Sequence, residues 1–372
     1  MLIFLKNRKI LKYSKFRWIN IHSQIPNIQV IQTSISPSDI YQGRLGDCYF
    51  LSSISALAEY PARIERLLLT KESRPRIRAY SVALHHCGDW KKLTLDSFFP
   101  TLKNRFTFAH TKSAEMWVML LEKGYAKLYG GYWNIGTGGY PEEALRDLTG
   151  APTEFNLIDQ ESTDFDRLWS DFVVCHKNRY VMVAGSAGES EKKTPEGIIQ
   201  GHAYTIIGAH MIRGERVLEM RNPWGDANEW NGRWSDLDEA WDDDLRVEFD
   251  MTDPGPDGRF FMPFEAFTRF FDQYSICYYE DEYILSSFQD ELESRYLACY
   301  RFRAKAAGNY YVCLSQEDRR KFKNQDSEYF SIFWVLPTFL TFLKISSTVV
   351  TAFWFALRRE MRSGMKEALR TL

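Results

Sequence analysis

No Cys-x-x-Cys pair and no short paired spacing occurs among Cys48, Cys87, Cys175, Cys277, Cys299 and Cys313 of this 372-residue chain. That absence argues against a disulfide framework or a zinc ribbon, and it makes a reducing, cytoplasmic setting the default. There is little net charge: the formal value is −2 and the isoelectric point is near 6.4. No global basic field therefore points to nucleic acid. No period of about 20–50 residues repeats, which speaks against a solenoid. Acidic residues are missing from the first 38 positions, where Lys6, Arg8, Lys9, Lys12, Lys15 and Arg17 cluster. Residues 1–15 read as a basic N-terminal arm, and the apolar run Leu2 to Leu5 is too short for a secretory leader.

What is present is globular: 45% apolar and 26% charged residues, with length for two or three domains. Leu51, Ile54, Leu57 and Ala58 recur at helical spacing up to Pro61, so a helix is expected from about Cys48. Residues 79–99 read as strands with turns. Glu115 to Tyr129 has the pattern of an amphipathic helix, its faces marked by Met116, Met119, Leu120, Lys123 and Lys127. A glycine-rich stretch from Gly130 to Gly139 suggests a hinge, after which Pro141 opens another helix. Tyr180 to Ala184, Ala203 to Ala209 and Val217 to Met220 follow as strands. Helices first and strands later predict an α+β fold with segregated parts. Tyr296 to Arg303 and Asn309 to Leu314 look like strands of a β-sandwich too short to close. Residues 331–356 are almost wholly apolar, broken by Pro337 and Lys344. That run has the length of a membrane span, although a central lysine costs about 2.5–3.5 kcal/mol on insertion, and a buried strand pair fits equally well.

A lone cysteine is most often a small buried hydrophobe, and that is expected of Cys87, Cys175, Cys277, Cys299 and Cys313. Cys48 differs because it follows Gly46-Asp47 at a helix N-terminus, where the dipole favours a thiolate. Gly43 and Gly46 leave room for a substrate carbonyl to approach. The Gln42 side-chain amide, with the Cys48 backbone N–H, can form an oxyanion hole. A thiolate needs a base. His85, His86 and His176 sit among polar neighbours and are expected to be solvated; His22 and His110 lie in weakly patterned stretches. His202 opens a strand, and Asn222 closes another before Pro223-Trp224-Gly225. An Asn oxygen can accept the Nδ1–H of histidine and fix its tautomer without adding charge.

The segment Gln42-Gly43-Arg44-Leu45-Gly46-Asp47-Cys48-Tyr49-Phe50-Leu51 closely resembles the active-site block of calpains. Gly201-His202-Ala203-Tyr204 resembles the family's histidine block. Arg221-Asn222-Pro223-Trp224-Gly225, continued by Glu229-Trp230-Asn231-Gly232-Arg233-Trp234-Ser235-Asp236, resembles its asparagine block. Leu121-Glu122-Lys123-Gly124-Tyr125-Ala126-Lys127 and Asp147-Leu148-Thr149-Gly150 match further signatures in family order, so the resemblance covers residues 16–284.

The resemblance implies a papain-like protease of two lobes, about 30–138 and 139–284. The helical lobe would carry Cys48, and the β-rich lobe would carry His202 and Asn222. Gln42 would complete the oxyanion hole, and Trp224 would shield the Asn–His bond. Residues 285–330 would be a partial β-sandwich and 331–372 an apolar tail. The implied activity is calcium-dependent endoproteolysis of intracellular proteins through a thioacyl-enzyme. The alternatives are a catalytically weak calpain-like scaffold and an adaptor tethered to a membrane through residues 331–356. Calcium would be held in the first lobe by Asp39 and Glu115, with backbone carbonyls near Gln32 and Ser34. In the second lobe Glu229, Asp236 and Asp257 match the family set, with the carbonyl near Gly255, but Arg259 stands where its last glutamate belongs. One ion is expected, the second site being weak or empty. No Asp-x-Asp-x-Asp-Gly loop is present, so an EF-hand module for small-subunit pairing is not expected.

Overall fold

In a computed structural model of the chain, the described residues are 16–72, 79–188, 192–225, 228–251, 255, 257–282 and 284–286, and beyond them 297–300, 308–311, 331–335, 343–345 and 353–358. The basic arm 1–15, Cys313 and Pro337 lie outside these. Two compact units result, Met1–Leu285 and Ser286–Leu372.

The first unit is a mixed α+β domain. Helix α1 (Cys48–Ala58) is buried along its length from Tyr49 to Ala58. Its sequence carries no charged residue, as a helix enclosed on all sides requires, and the hydroxyls of Ser52 and Ser53 bond back to the Tyr49 carbonyl. Strands β1 (Ala79–His86) and β2 (Asp89–Asp96) form an antiparallel hairpin. Cys87 and Gly88 take positive φ, as its two-residue turn demands. Helix α2 (Trp117–Leu128) starts after Glu115, not at it. It is enclosed rather than amphipathic: only Lys127 is exposed, and the buried Lys123 stem carries its ammonium to the Asp96 carboxylate at 2.7 Å and the Phe98 carbonyl at 2.6 Å. Helix α3 (Pro141–Thr149) opens on its proline and closes on Gly150 in the left-handed conformation. These elements share one core, which includes Phe50, Leu57, Trp117 and Tyr125.

The rest of the unit is built on a six-stranded antiparallel sheet. Its strands are β3 (Thr153–Leu157), β4 (Val181–Ser186), β5 (Ala203–Ile212), β6 (Glu215–Arg221), β7 (Arg259–Pro263) and β8 (Phe271–Cys277), in spatial order β7-β6-β5-β4-β8-β3. Helix α4 (Phe165–Lys177) packs on β4 and β5, and α5 (Phe264–Phe270) on β6, β7 and β8. A second core forms there around Phe172, Tyr204, Met220 and Phe267. Helix α1 packs against β4 and β5, and Thr205 Oγ1 donates to the Ser52 carbonyl at 3.0 Å.

In the second unit β9 (Leu297–Tyr300), β10 (Gly308–Tyr310), β11 (Ser331–Val335), β12 (Leu343–Ile345) and β13 (Phe353–Arg358) are strands. They pair antiparallel as β9-β13-β11 and β10-β12. The apolar tail is therefore not separate from residues 285–330: strand backbones need ladder partners, and the two segments supply them to each other. The described parts of 331–356 are strand, and no helix among the described residues is long and apolar enough to cross a membrane.

The loop before α1 is fixed by close backbone contact. A Cβ at Gly43 would lie 2.4 Å from the Thr107 and Phe108 carbonyl oxygens, and one at Gly46 would lie 2.8 Å from the Gly136 carbonyl. The neighbouring Arg44 N–H donates to the Thr107 carbonyl at 2.8 Å. The space expected for a substrate is thus filled by the protein's own chain. Gly43→Ala should lower stability by about 3 kcal/mol, the cost of overpacking an unyielding site, measured as a shift in urea midpoint. An unchanged midpoint would mean the loop can relax.

Candidate active site

Cys48 is the first residue of α1 and is half-buried. Its helix begins at Asp47, whose carbonyl accepts the N–H groups of Phe50 and Leu51 while its side chain caps nothing. His202 precedes β5 and is buried at 2% exposure. Its backbone is tied to β4 through Ser186: Oγ donates to the His202 carbonyl at 3.1 Å and accepts the His202 N–H at 3.0 Å. Asn222, just past β6, is fully buried.

The ring nitrogen that meets Asn222 is Nε2, 3.0 Å from Oδ1, whereas sequence reasoning assigned this bond to Nδ1. An amide oxygen can only accept, so Nε2 carries the hydrogen and Nδ1 is the nitrogen able to take a thiol proton. Oδ1 also accepts the Trp224 N–H at 3.1 Å, and the Asn222 amide donates to the Asn228 carbonyl at 2.9 Å. The amide is held at both ends, which fixes which end faces the histidine. The Trp224 ring lies 4.7 Å from the His202 ring, centroid to centroid. Its indole N–H donates to Gln42 Oε1 at 3.0 Å, and Gln42 Nε2 donates in turn to the Leu45 carbonyl at 3.0 Å. Trp224 and Gln42 thus join the Asn222 loop to the Cys48 loop. The Lys112 ammonium adds a second tie, to the Gly225 carbonyl at 2.7 Å.

The remaining histidines turn elsewhere. His85 and His86 are buried at 4% and 5% exposure, contrary to the expectation that they are solvated. His85 packs edge-on against Trp90 and His86 against Tyr129. His176 packs edge-on against His210, which meets Glu219 at 3.0 Å. Ser186, Thr205, Lys112 and Asn228 were not found by sequence reasoning. Their partners lie 16 to 153 residues away for all but Asn228, and no local spacing signals such bonds.

The acids proposed for calcium divide. Glu115 is buried; its Oε1 accepts the Gln32 and Thr33 N–H groups, and its Oε2 has no partner. Burial and the Glu115 charge push the Asp39 carboxyl above its ordinary range. Asp39 Oδ2 accepts the Ser36 N–H at 3.2 Å. Two acids that repel, one with a buried unpartnered oxygen, are a fitting donor set for a cation. On the other side, Glu229 accepts the Gly258 N–H at 2.7 Å and Asp257 the Arg259 N–H at 2.8 Å. Asp236 is pushed up to about 6 by burial and by Asp257. The Arg259 guanidinium meets Glu219 at 2.7 Å and the Phe249 and Asp250 carbonyls at 2.7 and 2.9 Å. Among the described residues no three His, Cys, Asp or Glu side chains gather to hold a metal. A fixed cation, Arg259, thus already stands beside the second set of acids.

The profile of the calpain family cysteine proteases matches residues 2–278. The chain is 35% identical over 268 residues to Calpain clp-4 of Caenorhabditis elegans, covering 68% of this chain and 37% of that protein. It is 33% identical over 281 residues to Calpain-9 of Rattus norvegicus, covering 70% and 39%. With the Calpain-type cysteine protease ADL1 of Oryza sativa subsp. japonica it shares 34% identity over 251 residues, 66% of this chain and 12% of that protein. The chain thus spans well under half the length of these relatives.

Thiol environments predict unequal reactivity. Burial pushes the Cys175 thiol up to about 12, and Cys277 is fully buried. Iodoacetamide at neutral pH should label Cys48 and leave Cys175 and Cys277 untouched until the chain is unfolded, as read by peptide mass spectrometry. Equal labelling of the three in the folded chain would contradict this.

Proposed function

The chain belongs to the calpain family of cysteine proteases, and from that premise we propose that it is a cysteine endopeptidase. Cys48 is the nucleophile, His202 its base and Asn222 the residue that orients the base. The observation that carries this reading is the His202–Asn222 hydrogen bond at 3.0 Å, made by the residue that precedes β5, a strand packed against the Cys48 helix. The core around α1 and α2 and the core on the six-stranded sheet then belong to the two lobes of a papain-like protease, with substrate lying between α1 and the His202–Asn222 side. The partial sandwich and tail lie outside the catalytic part.

His202 Nδ1 takes the Cys48 thiol proton, giving a thiolate and an imidazolium. The thiolate attacks the peptide carbonyl while the second Gln42 amide hydrogen and backbone N–H at the start of α1 stabilise the oxyanion. The imidazolium proton passes to the leaving amine. Water, deprotonated by His202, then releases the acyl group and restores the thiol. Asn222 serves throughout by holding the ring in one tautomer, and Trp224 covers that bond from solvent.

Calcium dependence belongs to the same reading. Asp39 and Glu115 would hold one ion, which would supply positive charge to a repelling anionic pair. The protein's own part is to hold residues 32–39 against the start of α2 through the Glu115 carboxylate. Arg259 already neutralises the other loop.

Casein cleavage by the full chain is the direct test. Cys48→Ser should lower kcat/KM by about a thousandfold or more, because a hydroxyl is far harder to ionise. Asn222→Ala should cost about a hundredfold, the scale for a misplaced catalytic group. A Cys48→Ser chain that still cleaves casein substantially would refute the assignment. Calorimetry should detect one calcium ion, lost in Glu115→Gln; two tight ions would show that Arg259 does not close the second loop.

A further inference from the structure

Behind Cys48 lies a pair of buried acids that the proposed chemistry does not use. Asp47 is fully buried and Glu122, on α2, is 1% exposed. Their carboxyl groups lie within hydrogen-bonding reach of each other. Glu122 Oε1 also accepts the Ala109 N–H at 2.9 Å, and among the described residues no other side chain bonds either Asp47 carboxyl oxygen. Two carboxylates cannot bond without a proton between them, and two charges cannot share a dry site. Burial, and for Glu122 the Asp47 charge, raise both proton affinities.

Among the described residues the surroundings supply no counter-charge. On α2, Lys123 is committed to Asp96. On the 107–112 segment, His110 turns to the Phe108 carbonyl and Lys112 to Gly225. From the helix Tyr132–Ile135 the Tyr132 phenol faces the pair, its hydroxyl buried without a partner among the described residues. The following residue on α1 is Cys48 itself. An aspartate at a helix start ordinarily caps the first turn and brings a negative charge to the helix's positive end. Here the side chain turns inward instead.

We propose that Asp47 and Glu122 are positioning residues: one proton held between their carboxyl groups fastens the Cys48 loop to α2 and limits the pair to a single negative charge behind the thiol. The inference deepens the protease reading and rests on it for its catalytic meaning. Its sign follows from linkage. The folded state holds a proton that the unfolded carboxyls release in their ordinary range, so stability is greatest at low pH and falls as pH rises above that range.

The test compares the full chain with its Asp47→Asn, Glu122→Gln and Asp47→Ala variants between about pH 5 and pH 8. The melting temperature of the natural chain should fall across this interval beyond what Asp47→Asn shows, because the amide N–H takes the proton's place. Glu122→Gln should match Asp47→Asn. Asp47→Ala, which strands Glu122, should melt lower than either amide at neutral pH. In the natural chain, loss of the shared proton at alkaline pH adds a second negative charge behind the thiol, so alkylation of Cys48 should decline there; both amides should lose that decline, or show it displaced upward by about one pH unit, a tenfold change in proton affinity. Superimposable melting profiles for the natural chain and both amides, or amides as damaged as Asp47→Ala, would overturn the proposal. Melting does not depend on hydrolysis. If the profiles separate as expected while casein is uncut and Cys48 resists an epoxide inhibitor, the protease reading fails and the proton-sharing pair stands.

Discussion

Enclosure of α1 is the constraint on which the rest of the first unit depends. A helix with no charged residue and ten consecutive buried positions, Tyr49 to Ala58, must be covered on every side. One core provides part of the cover through α2 and α3, and β4 and β5 provide the remainder. Two of its serines, Ser52 and Ser53, lower the polar cost of burying that helix by bonding back along it, whereas the Ser55 hydroxyl finds no partner among the described residues. The consequence is positional. Cys48 stands at the one end of α1 that is not fully covered, and the strand that packs on α1 is the one that His202 precedes. The Thr205–Ser52 bond fixes the sliding of that strand along the helix.

Polar side chains, not apolar ones, set the register across the site. Gln42 with Trp224, Lys112 with Gly225, and Arg221 with Glu59 at 3.1 Å each link a residue before or within the first core to one on the sheet. Apolar packing tolerates small shifts, but a hydrogen bond loses its worth within a few tenths of an ångström. Several such bonds in parallel therefore hold the geometry more tightly than core burial alone. The buried Arg221–Glu59 pair would be expensive to desolvate without good geometry. Here it clamps the last residue of β6, immediately before Asn222.

Much of this was legible in the sequence, and the failures have physical causes. The helix from Cys48, the Pro141 helix and the strands bearing His202 and Asn222 follow from periodicity and punctuation, which are local. Strands β3, β7 and β8 and helices α4 and α5 went unassigned, since runs such as Phe260-Phe261-Met262 and Phe264 to Phe271 are apolar at either period. Lys123 and Lys127 suggested a solvent face on α2. Lys123 is buried because Asp96 comes from a distant segment to meet it. Gly43 and Gly46 were correctly singled out as special but for the wrong neighbour: composition cannot tell whether a missing Cβ makes room for substrate or for the chain itself. The histidine nitrogen was misassigned for a similar reason, as which one faces Asn222 depends on how the backbone enters β5.

The two loops rich in acids show how one charge problem admits two solutions. At Asp39 and Glu115 no cation among the described residues is close enough to pair with the carboxylates. Lys112 lowers the Asp39 proton affinity, but less than burial raises it. At the other loop Arg259 meets Glu219 and takes up the Phe249 and Asp250 carbonyls, oxygens of the kind a hard cation seeks. A guanidinium is never released, so a loop ordered by it does not respond to ion concentration. A carboxylate pair left repelling is ordered only when positive charge arrives. On the proposed reading, therefore, Arg259 holds the Phe249 and Asp250 carbonyls whatever the ion concentration. Sensitivity to cations would fall on the segment that Glu115 ties to the start of α2, the helix whose Glu122 backs the nucleophile loop.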